Sequence, residues 1–405
     1  MSNNLLTISK ITNEALMVLE NELTFTNNVT REYDDQFAVT GAKIGNTLNV
    51  RRPGRFIGTT GPALNVEDFN ETSVPVTLST QFHVDTQFTT QDLALSLDMF
   101  SDRVLKPAVA AIANKIDRDG LVMAAANTAN IVGTAGTPPT GLITYLTAAA
   151  YLDAEGAPRD GRRSCIVEPF TSATIVDSLK GLFVPQEAIG EQYRKGLMGR
   201  DSAGMNWKMD QNVVSQTFGS YAGTATVDTR TSNTQILTSG WASSSTITLT
   251  AANTGTMNLN AGDVITIAGV YAINRLTGQS QGQLRQFVVT ANVASGATSI
   301  PIYPAITPAP AAFNTVTASP ANSAAISLVM TAGSQYRQNL AYYPEAFTLA
   351  TADLEMPTSG VVQAARAQFD GISLRMIEAY DVMSDSLITR MDILYGYAAI
   401  RPEWS

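Results

Sequence analysis

The sequence predicts an α+β chain interrupted by an inserted all-β barrel. Two observations carry the prediction. Charge is unevenly spread: between Ala222 and Ala341 the only charged residues are Asp228, Arg230, Asp263, Arg275, Arg285 and Arg337, and the block has 19 threonines. Branching at Cβ suits Thr and Val to pleated strands. On either side of the block, apolar residues recur at helical and strand-like spacings.

In chain order, Ile8, Ile11, Ala15, Leu19 and Leu23 step by three and four, which predicts an amphipathic helix over 7–23. GNTLNVRRPGRF (45–56) reads as strand then turn, and 73–88 alternates apolar and polar over much of its length. A helical pattern runs from Asp98 to Asn127 through Val104, Ala108, Ile112 and Ile116. Pro107 kinks it or marks the first turn of its main part, and Gly120 argues against an unbroken helix beyond it. A helix at Leu142–Asp153, a strand at Ser164–Val167 and a helix at Ser172–Leu182 follow.

Within the Thr-rich block the short runs Thr246–Thr250, Val264–Val270, Gln286–Val293, Thr298–Tyr303 and Ala324–Met330 are separated by Gly262-Asp263, Gly269, Gly278 and Ser295-Gly296, the pattern of a small barrel or sandwich. Pro301–Pro310 is expected to be loop or edge, since Pro cannot donate in a ladder. Ile372–Tyr380 and Leu387–Tyr395 are expected to close the chain as two strands.

Composition excludes much chemistry. One cysteine, Cys165, rules out an intrachain disulfide and Cys-cluster metal sites, and one histidine, His83, rules out His-pair zinc sites. No P-loop, G-x-G-x-x-G after a strand or G-x-S-x-G elbow occurs. A Cys165–His83 dyad is the weaker reading beside an inert buried thiol and a satisfied sheet histidine. Asp34-Asp35 and Glu67-Asp68 read as solvated loop acids. The first 20 residues lack a signal-peptide pattern, and no window approaches the roughly 18 continuous apolar residues of a membrane span. With 26 basic and 35 acidic residues, a net charge of −9 is a poor basis for gripping nucleic acid. No cofactor, metal or membrane partner is expected.

The one basic cluster is Arg51, Arg52 and Arg55 around Pro53-Gly54, followed by Phe56. Arginine forks pair bidentately with carboxylates, so this loop tip reads as a protein contact in preference to a solvated turn or a nucleic-acid patch.

Several segments resemble tailed-phage major capsid proteins. GNTLNVRRP (45–53) looks like the start of their extended loop, and SLDMFSDRVLKPAVAAIANKID (96–117) like their spine helix with its interrupting Pro. CIVEPFTSATIVDSLKGLF (165–183) and GLMGRDSAGMNWKMDQNV (196–213) resemble segments of their axial domain, and RMDILYGYAAIRPEW (390–404) their closing strand. MNLNAGDVITIAGVYAIN (257–274) is similar to a segment of the barrel inserted in podophage coat proteins of the P-twenty-two type.

The resemblance implies a shell fold of the Hong-Kong-ninety-seven type. Its parts would be an N-terminal arm (1–44), an extended β-loop (45–90), a peripheral domain with the spine helix (91–140), an axial domain (141–221), the inserted barrel (222–342) and a return through the axial and peripheral domains (343–405). It implies no enzyme but a major capsid protein that closes with copies of itself, as pentamers and hexamers, into an icosahedral head. Scaffolding protein would assist assembly in the host bacterial cytoplasm, a portal protein would fill one vertex, and the virion would hold double-stranded DNA without sequence-specific binding. Some relatives crosslink through a Lys–Asn bond; Lys43 is the only lysine near the loop, and that pattern is not matched here. An encapsulin-like nanocompartment shell is the related alternative, and a glycan-cleaving enzyme or a fibre adhesin the unrelated ones. The barrel is expected to fold alone, and reversing charge at Arg51, Arg52 and Arg55 together is expected to impair assembly while leaving folding intact.

Overall fold

The computed structural model describes residues 8–34, 47–56, 58–66, 71–89, 104–134, 137–178, 202–221, 225–228, 241, 243–249, 257–275, 277–309, 311, 313–357 and 359–405. The elements are α1 (Ile8–Glu22), β1 (Thr30–Asp34), β2 (Thr47–Arg52), β3 (Thr72–Thr77), β4 (Thr80–Thr89), α2 (Lys106–Asn127), α3 (Leu142–Ala154), β5 (Ser164–Val167), α4 (Pro169–Ser178), β6 (Asn206–Met209) and β7 (Ser215–Thr217). Then come β8 (Ser245–Thr248), β9 (Val264–Ile273), β10 (Ser280–Val289), β11 (Ser299–Tyr303), β12 (Ile326–Leu328), β13 (Gln335–Arg337), β14 (Leu340–Tyr342), β15 (Phe347–Ala352), β16 (Gln363–Phe369), β17 (Ile372–Asp381) and β18 (Ser386–Ala399). They group into two compact units: residues 1–50, 74–120 and 347–398, and residues 51–73, 121–346 and 399–405.

The first unit is built on a sheet ordered β1-β15-β18-β17-β16, with β4 also pairing β18. The alternating run at 73–88 resolves into two strands, broken at Leu78–Ser79. α1 lies on β16 and β17, burying Ile8, Thr12, Ala15, Leu16 and Leu19, the stripe its periodicity implies. Pro107 is the second residue of α2, which directly follows π-helical Val104 and Leu105, so the proline sits where a wider turn passes into the regular helix.

α2 also runs through Gly120, against expectation. The reason is close approach: a Cβ at 120 would stand 2.5 Å from Phe25 Cε1 and 2.9 Å from Tyr397 Cζ. One turn earlier, buried Asp117 accepts the backbone N–H groups of Thr24 (2.6 Å), Phe25 (3.2 Å) and Thr26 (3.0 Å). Helix and turn are thus locked by a carboxylate and a missing methyl.

In the second unit a five-stranded sheet ordered β12-β9-β10-β11-β8 carries the Thr-rich block. Its edge strands are tied by one segment: Thr226 bridges Ala325, beside β12, and Val227 bridges Leu249, beside β8. The sheet therefore curls around a core that includes Val227, Ile247, Ile265, Ile267, Phe287, Val289, Ile300, Ile302 and Ile326. Val264 and Val288 face the other way and pack with Ala129 and Tyr303, which buries both faces at that end of the ladder. Gly262, with φ of +92°, makes the turn into β9 in a conformation that disfavours side chains.

Several strand ends differ by a few residues from the sequence reading, and two differences have a clear physical reason. β10 begins at Ser280 and ends at Val289, because its polar first half pairs with β9 through an irregular register. Pro301 lies inside β11, paired with Thr246, and not in a loop. Its carbonyl accepts from Thr290 N at 3.1 Å, so the missing donor falls just beyond the end of β10 and costs a terminal bond only.

Beside the barrel, β14 pairs β5 antiparallel and β5 pairs β6 in parallel, while β7 pairs β13. α4 starts at Pro169, three residues before the expected start, with Pro at the first helical position; residues 179–182 of the expected helix lie outside the described residues. β2 and β3 form a separate two-stranded sheet.

Candidate assembly surface

The arginine cluster, expected at a loop tip, straddles the end of β2: Arg51 and Arg52 are its last two residues, and Arg55 and Phe56 lie in the loop that follows. Arg51 points outward, its side chain 78% exposed, with Glu71 at 3.5 Å. Phe56 is exposed too, as are Leu64 and Val66 further along the loop. Three large apolar side chains in the open on one loop are unusual for a surface facing only water.

Arg52 and Arg55 turn toward their own chain. Trp241 Nε1 donates to Pro53 O at 2.6 Å, and the Arg55 guanidinium lies 5.3 Å from the Trp241 ring centre. Arg401 stacks on the same ring at 4.7 Å and on Trp404 at 4.5 Å, and the two indoles meet edge to face at 6.0 Å. Trp404 in turn meets Tyr343 edge to face at 5.4 Å. Arg401 NH1 is held by Glu345 Oε2 at 2.5 Å. The root of the loop is therefore clamped by alternating cations and aromatic faces, each contact of order 0.5–2 kcal/mol, while its far part stays exposed.

Beside this clamp lies a buried ion network. Arg275 Nε stands 2.6 Å from Glu155 Oε2 and Arg275 NH1 3.3 Å from Glu403 Oε1; Arg285 also pairs with Glu155. The Tyr303 hydroxyl donates to Glu403 Oε2 at 2.5 Å. Burial alone would raise the Glu155 pKa, but Arg285 and Arg275 outweigh it and hold the carboxyl below its ordinary value. Burial, reinforced by Glu403, pushes Tyr303 well up. Arg55 is shifted down by burial and by the nearby charge of Arg275.

Three of the six charges of the Thr-rich block have a common use. Arg275, Arg285 and Arg337 each pair with a glutamate outside the block, Arg337 with Glu168 at 3.0 Å. Asp263 is buried and accepts Gly219 N at 3.0 Å and Asn260 N at 2.8 Å. The sequence shows how few charges there are, but not that their partners lie elsewhere in the chain.

The remaining candidates are quiet. Cys165 is buried in β5, and desolvation pushes its thiol up to about 12, the behaviour of an inert core cysteine. His83 lies on β4 with Nδ1 2.9 Å from Asp85 Oδ2 and belongs to the other compact unit. Glu67, Asp68, Asp35 and Lys43 lie outside the described residues. Among the described residues no group of His, Cys, Asp and Glu is arranged to hold a metal, and no helix is long and apolar enough to cross a membrane.

Comparison with known proteins defines the class. A sequence model of the family described as "P22 coat protein - gene protein 5" matches residues 1–405. The chain belongs to the P22 coat protein family, a family of structural coat proteins. The curated "Major capsid protein" of Acyrthosiphon pisum secondary endosymbiont phage 1 is 23% identical over 258 residues; the match spans 60% of this chain and 60% of that relative. Among solved structures, the capsid of Ralstonia phage GP4 covers 94% of this chain and 85% of its own, at 8% identity and a TM-score of 0.45. A CUS-3 coat protein I-domain covers 29% of this chain and 97% of its own, at 28% identity and a TM-score of 0.18.

Proposed function

We propose that this chain is the major capsid protein of a tailed bacteriophage, closing as pentamers and hexamers into an icosahedral head around double-stranded DNA. The observation that carries the reading is the coat-protein family match along all 405 residues. It disfavours an encapsulin-like shell, as does the inserted barrel. The work is contact, not catalysis: a buried thiol and a carboxylate-paired histidine offer no reactive pair.

Scaffolding protein guides assembly in the host bacterial cytoplasm, a portal protein occupies one vertex, and the acidic chain encloses DNA without reading its sequence. For the domains we keep as a proposal the division 1–44, 45–90, 91–140, 141–221, 222–342 and 343–405. The loop bearing Arg51, Arg52, Arg55 and Phe56 is the assembly contact. Arg51 supplies an exposed cation for an acidic group on a neighbouring copy, Phe56 supplies apolar area, and Arg52 and Arg55 hold the loop root in position. Charge at such a rim sets encounter rate and register more than affinity.

Expression of the chain with and without its scaffolding protein, followed by negative-stain microscopy, tests the reading. Closed shells in the presence of scaffold support it; fibres, or monomers under both conditions, overturn it.

A further inference from the structure

Around the loop root in the second unit, the carboxylates of Glu155, Glu345 and Glu403 are committed. Glu155 pairs with Arg275 and Arg285, and Glu403 with Arg275 and the Tyr303 hydroxyl. Glu345 holds Arg401 and lies 3.9 Å from Arg162. None of them reaches Arg52. Among the described residues the Arg52 guanidinium has no hydrogen-bond or ion-pair partner. It is nevertheless half-buried, and its charge acts on both Tyr303 and Arg401.

The free donors of Arg52 and Arg401 can be named. Of the Arg52 nitrogens only Nε is buried, so NH1 and NH2 form an unpaired edge open to solvent. Arg401 NH1 is held by Glu345 Oε2 at 2.5 Å and Nε is buried, which leaves NH2. The rings of Trp241 and Trp404, at 4.7 and 4.5 Å, fix the plane of Arg401, and a stacked guanidinium keeps its in-plane donors available. Burial lowers the Arg401 pKa, and Arg52 lowers it further against the opposing effect of Glu345 and Glu403.

Like charges held close in a partly desolvated place repel, and an anion between them removes that cost. Planar guanidinium forks match phosphate and sulfate two oxygens at a time. Arg51, one residue earlier, is the side chain that projects into solvent. Arg52 turns inward at the loop root, where access suits a small ion better than a side chain carried by another copy.

We propose that Arg52 and Arg401 form a binding site for a small inorganic oxyanion, phosphate or sulfate, which the NH1 and NH2 edge of Arg52 grips as a fork while Arg401 NH2 supplies a further donor. The bound ion ties the end of β2 to the segment that carries Arg401.

The test is isothermal titration calorimetry of the full chain with sodium phosphate near neutral pH, the ionic strength held constant with sodium chloride. Phosphate should bind saturably at one site per chain, and sulfate should compete for it. Arg52→Gln should weaken binding about tenfold or more, whereas Arg51→Gln should leave it unchanged. Absence of saturable binding, displacement by chloride as effective as by sulfate, unchanged affinity in Arg52→Gln, or equal losses in the Arg51 and Arg52 variants would overturn the proposal. Should Arg52→Gln fail to fold, Arg52→Lys, which keeps the charge and loses the fork, decides in its place: weaker binding supports the site and unchanged affinity contradicts it.

Discussion

Arg275, on the Thr-rich barrel, reaches Glu155, at the end of α3, with Nε and Oε2 2.6 Å apart and both side chains no more than 5% exposed. Glu155 serves Arg285 as well. A single carboxylate is therefore shared by two buried guanidinium groups of the insert. Removing it strands Arg285 and leaves Arg275 with Glu403 alone, and a broken buried pair costs far more than an exposed one. Glu155→Ala should lower the stability of the monomer by about 3–5 kcal/mol in urea denaturation. A loss below about 1 kcal/mol would mean that the network is solvated.

The same pair gives the chain an acid sensitivity. The folded Glu155 carboxyl is held below its unfolded value of about 4.3. Its contribution is therefore complete above that value and is lost as pH falls through the lower folded one. Between pH 6 and pH 3, wild type should lose more stability than Glu155→Gln. Equal losses measured by denaturant midpoints at the two pH values would contradict the assignment.

The arginines of the loop separate by readout. Arg51→Glu should leave monomer stability within about 0.5 kcal/mol of wild type, as exposed substitutions usually do, and should slow assembly followed by light scattering. Arg55→Ala should cost about 0.5–2 kcal/mol of monomer stability through loss of its stacking on Trp241. Reversing all three arginines therefore perturbs folding as well as assembly, since Arg55, unlike Arg51, packs within its own chain; Arg51 alone is the clean assembly probe.

Gly120→Ala sets two effects against each other. Helix propensity favours alanine by about 1 kcal/mol, whereas a Cβ 2.5 Å from the Phe25 ring forces the packing apart, an overpacking cost of about 1–3 kcal/mol. The clash should win, and urea denaturation should show net destabilisation. A stabilised variant would show that Phe25 yields freely.

Elements with local causes were legible in the sequence. The stripe of α1, the starts of β9 and β11 and the charge-poor block follow from spacing and composition, whereas Arg51, exposed as expected, lies at the end of β2 and not at a loop tip. Features set by distant partners were not legible. Gly120 looks like a helix weakness until Phe25 and Tyr397 are placed against it. Pro301 looks like a loop until the missing donor is seen to fall past the end of β10. Arg55 looks equivalent to Arg51 until Trp241, nearly 200 residues away in sequence, is brought to the loop root. No periodicity announces that Arg275 and Arg285 pair with Glu155, because the partners lie more than a hundred residues apart in sequence.

The most direct test is a cryo-electron microscopy reconstruction of particles formed by the full chain with its scaffolding protein. The account predicts a closed icosahedral lattice of pentamers and hexamers in which Arg51 and Phe56 of each copy contact a neighbouring copy. Particles without such a lattice, or a lattice in which this loop touches only its own subunit and solvent, would contradict it.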